Sequence, residues 1–205
     1  METGLDGFTV KRLGGSDRYA TNLLILQEAG VAGKDIVVCT GKDFADSLSA
    51  SAVGLPILLV KDSLSSTQQS FLSGNSGRIY IIGGTNAVST RIENQLKNYG
   101  TVTRLAGATR YKTSVLVAET FFTAPISAVI AYGENFPDGL SGGPVAYVNE
   151  APLILTRSGR VDDAAAYIKS KGITFGYAQG GTAVLPDKVV RTVFSLDANA
   201  VITVK

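Results

Sequence analysis

Histidine and tryptophan are missing from the 205 residues, and cysteine and methionine occur once each. Without histidine the chain lacks the usual proton shuttle near neutral pH and the commonest metal ligand, so any histidine-dependent triad is excluded. The single cysteine, Cys39 in "DIVVCT", excludes a disulfide within the chain and reads as a small buried hydrophobe. Charged residues are only 18% of the total and the net charge is +2, too little for the basic surface that nucleic acid requires. No apolar run reaches membrane-spanning length and no secretory leader pattern stands at Met1, so the expectation is a cytosolic chain, or a mature segment behind an added initiator Met. What is present is 45% hydrophobic residues, enough for a packed core.

That core is built twice. "RLGGSDRYAT" at Arg12 returns as "RLAGATRYKT" at Arg104, a displacement of 92 residues that also carries Gly41 onto Gly133, Phe44 onto Phe136, Asp46 onto Asp138 and Leu48 onto Leu140. The displacement grows to 96 by "LPILLV" against "APLILT" and to 97 by "GGTNAVS" against "GGTAVLP". Small insertions of this kind fall in surface loops. A period this long makes each copy a domain-sized unit, so two modules are expected, 8–100 and 101–205.

Within each copy short apolar runs alternate with helical patterns, which predicts a mostly parallel sheet with helices on both faces. Val37–Val38, Ile57–Leu59 and Ile79–Ile82 are continuous rather than alternating, as buried strands are. Val88, Ile92 and Leu96 recur at i, i+4 and i+8 and so form one helical stripe, while Gly30 and Gly100 stand where helix C-terminal caps belong. "FTVKRL" and "TVTRL" read as opening strands, and "NAVITVK" as a closing one.

Chemistry is expected at the glycine-bearing turns "LGGSDR", "IGGTNA", "LAGATR" and "QGGTAV". Backbone N–H groups at a strand-to-helix turn hold phosphate or carboxylate, and Arg12, Arg18, Arg104 and Arg110 add forked donors for the same anion. The plain alternatives are a tight turn that merely needs glycine, and arginines spent on ion pairs to Asp46 or Asp138. None of the turns matches a dinucleotide fingerprint or a P-loop, and no Gly-x-Ser-x-Gly elbow occurs. "GKDFADSL" and "GENFPDGL" place Asp46 and Asp138 where an acid caps a helix, coordinates a cation or contacts a sugar hydroxyl; only Asp43 and Glu134 are close enough to make a carboxylate pair, and they do not match in register.

In this order the strings resemble the cell wall binding repeat 2 family of clostridia and related Gram-positive bacteria, in two copies over residues 8–196. The resemblance implies tandem three-layer α/β modules of Rossmann or Toprim type with mostly parallel sheets, usually three around a pseudo-threefold axis. It implies a non-catalytic, extracellular role at the cell wall or S-layer, holding an anionic wall polymer, with no cofactor, metal, nucleic-acid or membrane partner. The residues it marks for the polymer are Arg12, Arg18, Tyr19, Thr21, Asp46, Gly83 and Gly84 in one copy, and Arg104, Arg110, Tyr111, Thr113, Asp138, Gly180 and Gly181 in the other. With two copies where three are usual, a third repeat or a homo-oligomer is expected to complete the set. A competing reading is a small α/β enzyme or binding protein for a nucleotide or phosphosugar, and another is a lattice former that touches no polymer.

Overall fold

A computed structural model describes residues 9–31, 33–74, 77–197 and 199–203. In chain order the elements are α1 (Arg18–Glu28), β1 (Ile36–Thr40), α2 (Ala45–Ser51), β2 (Ile57–Val60), α3 (Ser66–Ser73), β3 (Ile79–Ile82), α4 (Thr90–Leu96) and β4 (Val102–Leu105), then α5 (Arg110–Phe121), β5 (Ser127–Tyr132), α6 (Pro137–Val148), β6 (Leu153–Thr156), α7 (Asp162–Lys171), β7 (Phe175–Gln179) and α8 (Asp187–Val193). They make two sheets, β2-β1-β3-β4 and β6-β5-β7, parallel throughout.

The expected α/β architecture is therefore present twice. In each copy the chain leaves the first strand for one side and returns on the other, which opens a crevice beyond the carboxyl ends of β1 and β3, and of β5 and β7.

One strand crosses between the copies. β4, the opening strand of the second repeat, pairs with β3 from Ile79–Val102 to Ile82–Leu105 and so completes the sheet of the first. Residues 9–13 have the same pattern but form no strand. The expected closing strand is also absent over residues 199–203. Ile202 packs on the second core much as Val102 packs on the first, but Arg191 takes the carbonyls of Asp197 and Ala200 at 2.9 and 3.0 Å, which ties this segment to α8 instead. Phe8, Val204 and Lys205, the rest of those two expected strands, lie outside the described residues.

Each sheet is covered on both faces. α1, α3 and α4 bury Leu23, Leu72, and Ile92 with Leu96 against β1, β2 and β3; Val88, expected on the same helical stripe, is buried beside them from the turn before the Ser89 N-cap. The opposite face of that sheet meets Ala50 of α2 and, from the second repeat, Val117 of α5. α2 is in turn wedged against the second sheet, where Ala45, Leu48 and Ala52 share a core with Val129, Ala131 and Leu153. The repeats thus share apolar layers and are not beads on a linker. Cys39 is fully buried in this layer; burial above all, and then the nearby Asp46, pushes its thiol up, so it stays protonated and inert.

The capping expectations divide. Gly30 follows α1 with φ +60°, as a C-terminal cap requires, but α4 ends earlier, at Lys97. Gly100 answers to space: a Cβ there would meet the Gly77 carbonyl oxygen at 2.8 Å.

Candidate functional site

The recurring "RYxT" is a clasp within each repeat. Arg18 and Arg110 each donate through Nη1 to the carbonyl after the next strand, Gly41 O and Gly133 O, at 2.8 Å. The tyrosine ring lies on that same glycine: a Cβ would come within 2.4 Å of the Tyr19 ring at position 41 and 2.6 Å of the Tyr111 ring at 133. Thr21 and Thr113 accept the N–H of Gly15 and Gly107 at 3.0 Å and so fix the preceding turn. Asp17 and Thr109 cap the helices in between, which is why Asp and Thr exchange at that place without loss.

Beside the clasp, charge partners are swapped between repeats. Glu134 accepts from the Tyr111 hydroxyl and pairs with Arg157 at 3.1 Å, whereas the first repeat pairs Lys42 with Asp62 at 2.5 Å. Burial, with the hydrogen bond to Glu134, raises the Tyr111 phenol, and that same hydrogen bond holds Glu134 below its ordinary value.

Arg104 is a latch. Its guanidinium pairs with Glu93 at 2.8 Å and donates to Gly83 O at 2.7 Å and Val88 O at 2.9 Å, at a place where its side chain is only 15% exposed. Through these bonds β4 is locked to α4 and to the turn after β3. Arg12 sits on an exposed segment ahead of α1.

Four of the marked residues meet in one place. A crevice of about 360 Å³ beyond the carboxyl ends of β1, β3 and β4 is lined by Asp43, Asp46, the turn Gly84–Ala87, Gly107, Ala108, Arg110 and Thr113. It is shared: α2 and the "GGTNA" turn come from the first repeat, and the "AGATR" turn from the second. The Arg110 guanidinium lies 5.4 Å over the Phe44 ring and 3.3 Å from Asp43, not against Asp46. Gly83 has φ +108°, and a Cβ on it would stand 2.3 Å from the Asp46 carboxylate, so glycine is what admits that acid to the turn.

Asp46 does not cap α2, whose N-cap is Phe44; it points from the first turn into the crevice. Burial, then Asp43, against the opposing pull of Arg110, pushes it up to about 6. Among the described residues no hydrogen bond within the chain engages the N–H groups of Gly84, Thr85 and Asn86, so they remain available to a ligand. A second crevice of about 300 Å³, lined by Ala52, Phe121, Phe122, Tyr147 and Glu150 among others, has no cation to hold an anion.

In the second repeat Asp138 approaches Gly180 in the same way, with a Cβ at position 180 falling 3.2 Å from its carboxylate. Asp138, Gly180 and Gly181 thus repeat one wall of the crevice, while Arg18, Tyr19 and Thr21 stand on α1, far along the chain from them. Thr85, Asn86 and Ala108 lie in two of the turns where anion-holding N–H groups are expected, but that these turns, from different repeats, line one crevice with Asp43 has no signal in the sequence.

The family comparison decides the class. A model of cell wall binding domain 2 matches residues 12–93 and again 104–190. The chain belongs to this family. It is 33% identical over 197 residues to N-acetylmuramoyl-L-alanine amidase LytC of Bacillus subtilis, covering 92% of this chain and 40% of that protein. It is 32% identical over 173 residues to the amidase enhancer of the same organism, covering 82% of the chain and 24% of the relative. Among solved structures, Cwp8 from Clostridium difficile superposes with TM-score 0.78 at 25% identity over 92% of this chain and 34% of its own, and Cwp6 with 0.72 at 27% over 83% and 29%. The chain therefore spans less than half the length of each of these relatives. Membership makes it a cell-wall binding, extracellular segment of the tandem-repeat type.

Proposed function

We propose that these repeats anchor non-catalytically, holding an anionic secondary polysaccharide of the cell wall or S-layer in the crevice between them. The observation that carries this reading is the crevice itself. One forked cation, Arg110, from one repeat and the turn Gly84–Asn86, whose N–H groups are not engaged within the chain, from the other line the same crevice, where they hold an acidic group of the polymer while Asp43 accepts from sugar hydroxyls. Each contact is weak alone, and repeats on one chain raise the effective concentration of a second contact with the same polymer. Arg18 and Gly181, on uncovered surface, extend this set to further repeat units; Arg104 contributes by holding the turn in place.

Purified walls test it by co-sedimentation. Arg110→Ala is expected to lower retention at least fivefold, with about 1–2 kcal/mol of binding lost, and to lower the melting temperature by a smaller amount than Arg104→Ala, because Gly133 O and Asp43 lose their donor. Arg110→Lys is expected to recover only part, because an ammonium cannot reproduce the fork. Retention should fall as salt rises. Undiminished retention on walls stripped of their anionic polymer overturns the reading.

A further inference from the structure

The second repeat carries four residues that the first lacks. Opposite "FADSLSASAVG" at Phe44 it reads "FPDGLSGGPVAYVNE" at Phe136, the step that takes the displacement from 92 to 96 residues. The extra residues do not fall in a loop: α6 runs on to Val148, whereas α2 stops at Ser51. The added turn sets Tyr147 over Gly54, where φ is +75° and a Cβ would collide with the ring. It thereby walls off the crevice of about 300 Å³, whose other sides include Val53, Phe121, Phe122 and Thr123. These residues belong to the segments leading into β2 and β5, so the crevice lies at the end of the sheets away from Asp46 and Arg110.

Glu150, last of the four, is the one charged residue that lines it, and it stands where folding alone favours other residues. α6 ends in a Schellman turn: the Glu150 N–H returns to Tyr147 O at 3.1 Å and the Ala151 N–H to Ala146 O at 2.9 Å, with Glu150 in the left-handed region at φ +49°. α7 closes with the same pair of bonds, and there the left-handed place is held by Gly172, behind Lys169 and Lys171. Glycine takes that conformation without strain, and lysine suits the negative end of the helix dipole; Glu150 forgoes both advantages. Among the described residues no side-chain hydrogen bond or ion pair engages its carboxylate or the Tyr147 hydroxyl. Lys171 does not line the crevice; its ammonium is taken by Thr123 O at 3.1 Å and lies 5.8 Å over the Tyr167 ring.

We propose that this crevice is a second carbohydrate subsite, for a sugar with a free protonated amine of the 2-amino-2-deoxyhexose class. An unpaired carboxylate accepts the N–H bonds of an ammonium, and the faces of Tyr147 and Phe122 attract the cation and pack on the C–H face of a pyranose. The Tyr147 hydroxyl is left for a sugar hydroxyl. Acetylation of the nitrogen removes the charge and adds bulk, so the acetylated sugar is excluded. A linear alkylammonium satisfies Glu150 but leaves the ring faces and the hydroxyl partly unused. The subsite prefers the opposite charge to the crevice at Arg110 and does not depend on the reading given to that one.

Chemical-shift mapping on nitrogen-15-labelled protein at mildly acidic pH tests it, with glucosamine as probe. Glucosamine is expected to shift the amides of residues 121–124 and 147–151, and N-acetylglucosamine and free lysine to do so far more weakly. Glu150→Gln should weaken glucosamine binding roughly tenfold, the worth of a hydrogen bond to a charged group. Glu150→Gly is expected to remove binding and raise the melting temperature, because it relieves the left-handed backbone and the charge at the helix end together. A lower melting temperature in that variant marks an acid that serves the fold, and overturns the assignment. Equal binding of N-acetylglucosamine overturns recognition of the amine, and equal binding of lysine overturns recognition of the sugar. Shifts that are absent, or confined to other residues, overturn the subsite itself.

Discussion

Arg104→Ala is expected to destabilise the chain by about 3 kcal/mol, near the low end for breaking a buried ion pair, because Glu93 and two carbonyls lose their donor at once. The pair is mostly enclosed, with side-chain exposures of 15% for Arg104 and 22% for Glu93, so water replaces little of what is lost. At this chain length the fall in melting temperature is roughly 6–12 °C. Wall retention measured well below the melt should fall less than it does for Arg110→Ala, because Arg104 only holds the turn, whereas Arg110→Ala should cost more in retention than in melting temperature. The two arginines look alike in sequence, and melting and co-sedimentation together separate the latch from the ligand contact. If Arg104→Ala instead abolishes retention with its melt unchanged, the assignments are the wrong way round.

This pair also shows how far the sequence was legible. The repeat, the parallel sheets and the buried stripe Val88, Ile92 and Leu96 follow from periodicity, which survives folding because each element buries its own apolar face. The owner of β4 does not follow from it. "TVTRL" starts a repeat by its pattern, yet its ladder belongs to the sheet before, since a strand is fixed by the free edge that meets it and no local residue announces that edge. The same limit applies to the site. A glycine turn flanked by Arg, Tyr and Thr signals anion binding as readily as it signals a clasp, and only the hydrogen bonds to Gly41 and Gly133 reveal the clasp. Asp46 was visible as a recurring acid, but its nearness to Gly83 and Asp43 is a product of three strands ending at one level.

Asp46 should make both folding and wall attachment sensitive to mild acid. Its carboxyl is held at about 6 against an ordinary value of 3.8, so between those pH values the folded chain binds more protons than the unfolded one. Stability from this group is therefore present in full below the unfolded value and is lost as pH rises through the folded one. The span is at most about 3 kcal/mol, since each pKa unit corresponds to about 1.4 kcal/mol. For binding the sign is the same. Above pH 6 the carboxylate repels an anionic group placed beside Arg110; below it the neutral acid donates a hydrogen bond, and polymer affinity is expected to increase about tenfold between pH 7.5 and 5. Asp46→Asn keeps the shape and removes the titration, so it should bind at pH 7.5 nearly as the wild type does at pH 5 and unfold at higher urea than the wild type at neutral pH. Urea melts and polymer titrations at pH 4.5, 6 and 7.5 check both halves. If the wild type and Asp46→Asn change in parallel across that range, some other group titrates and the role given to Asp46 falls.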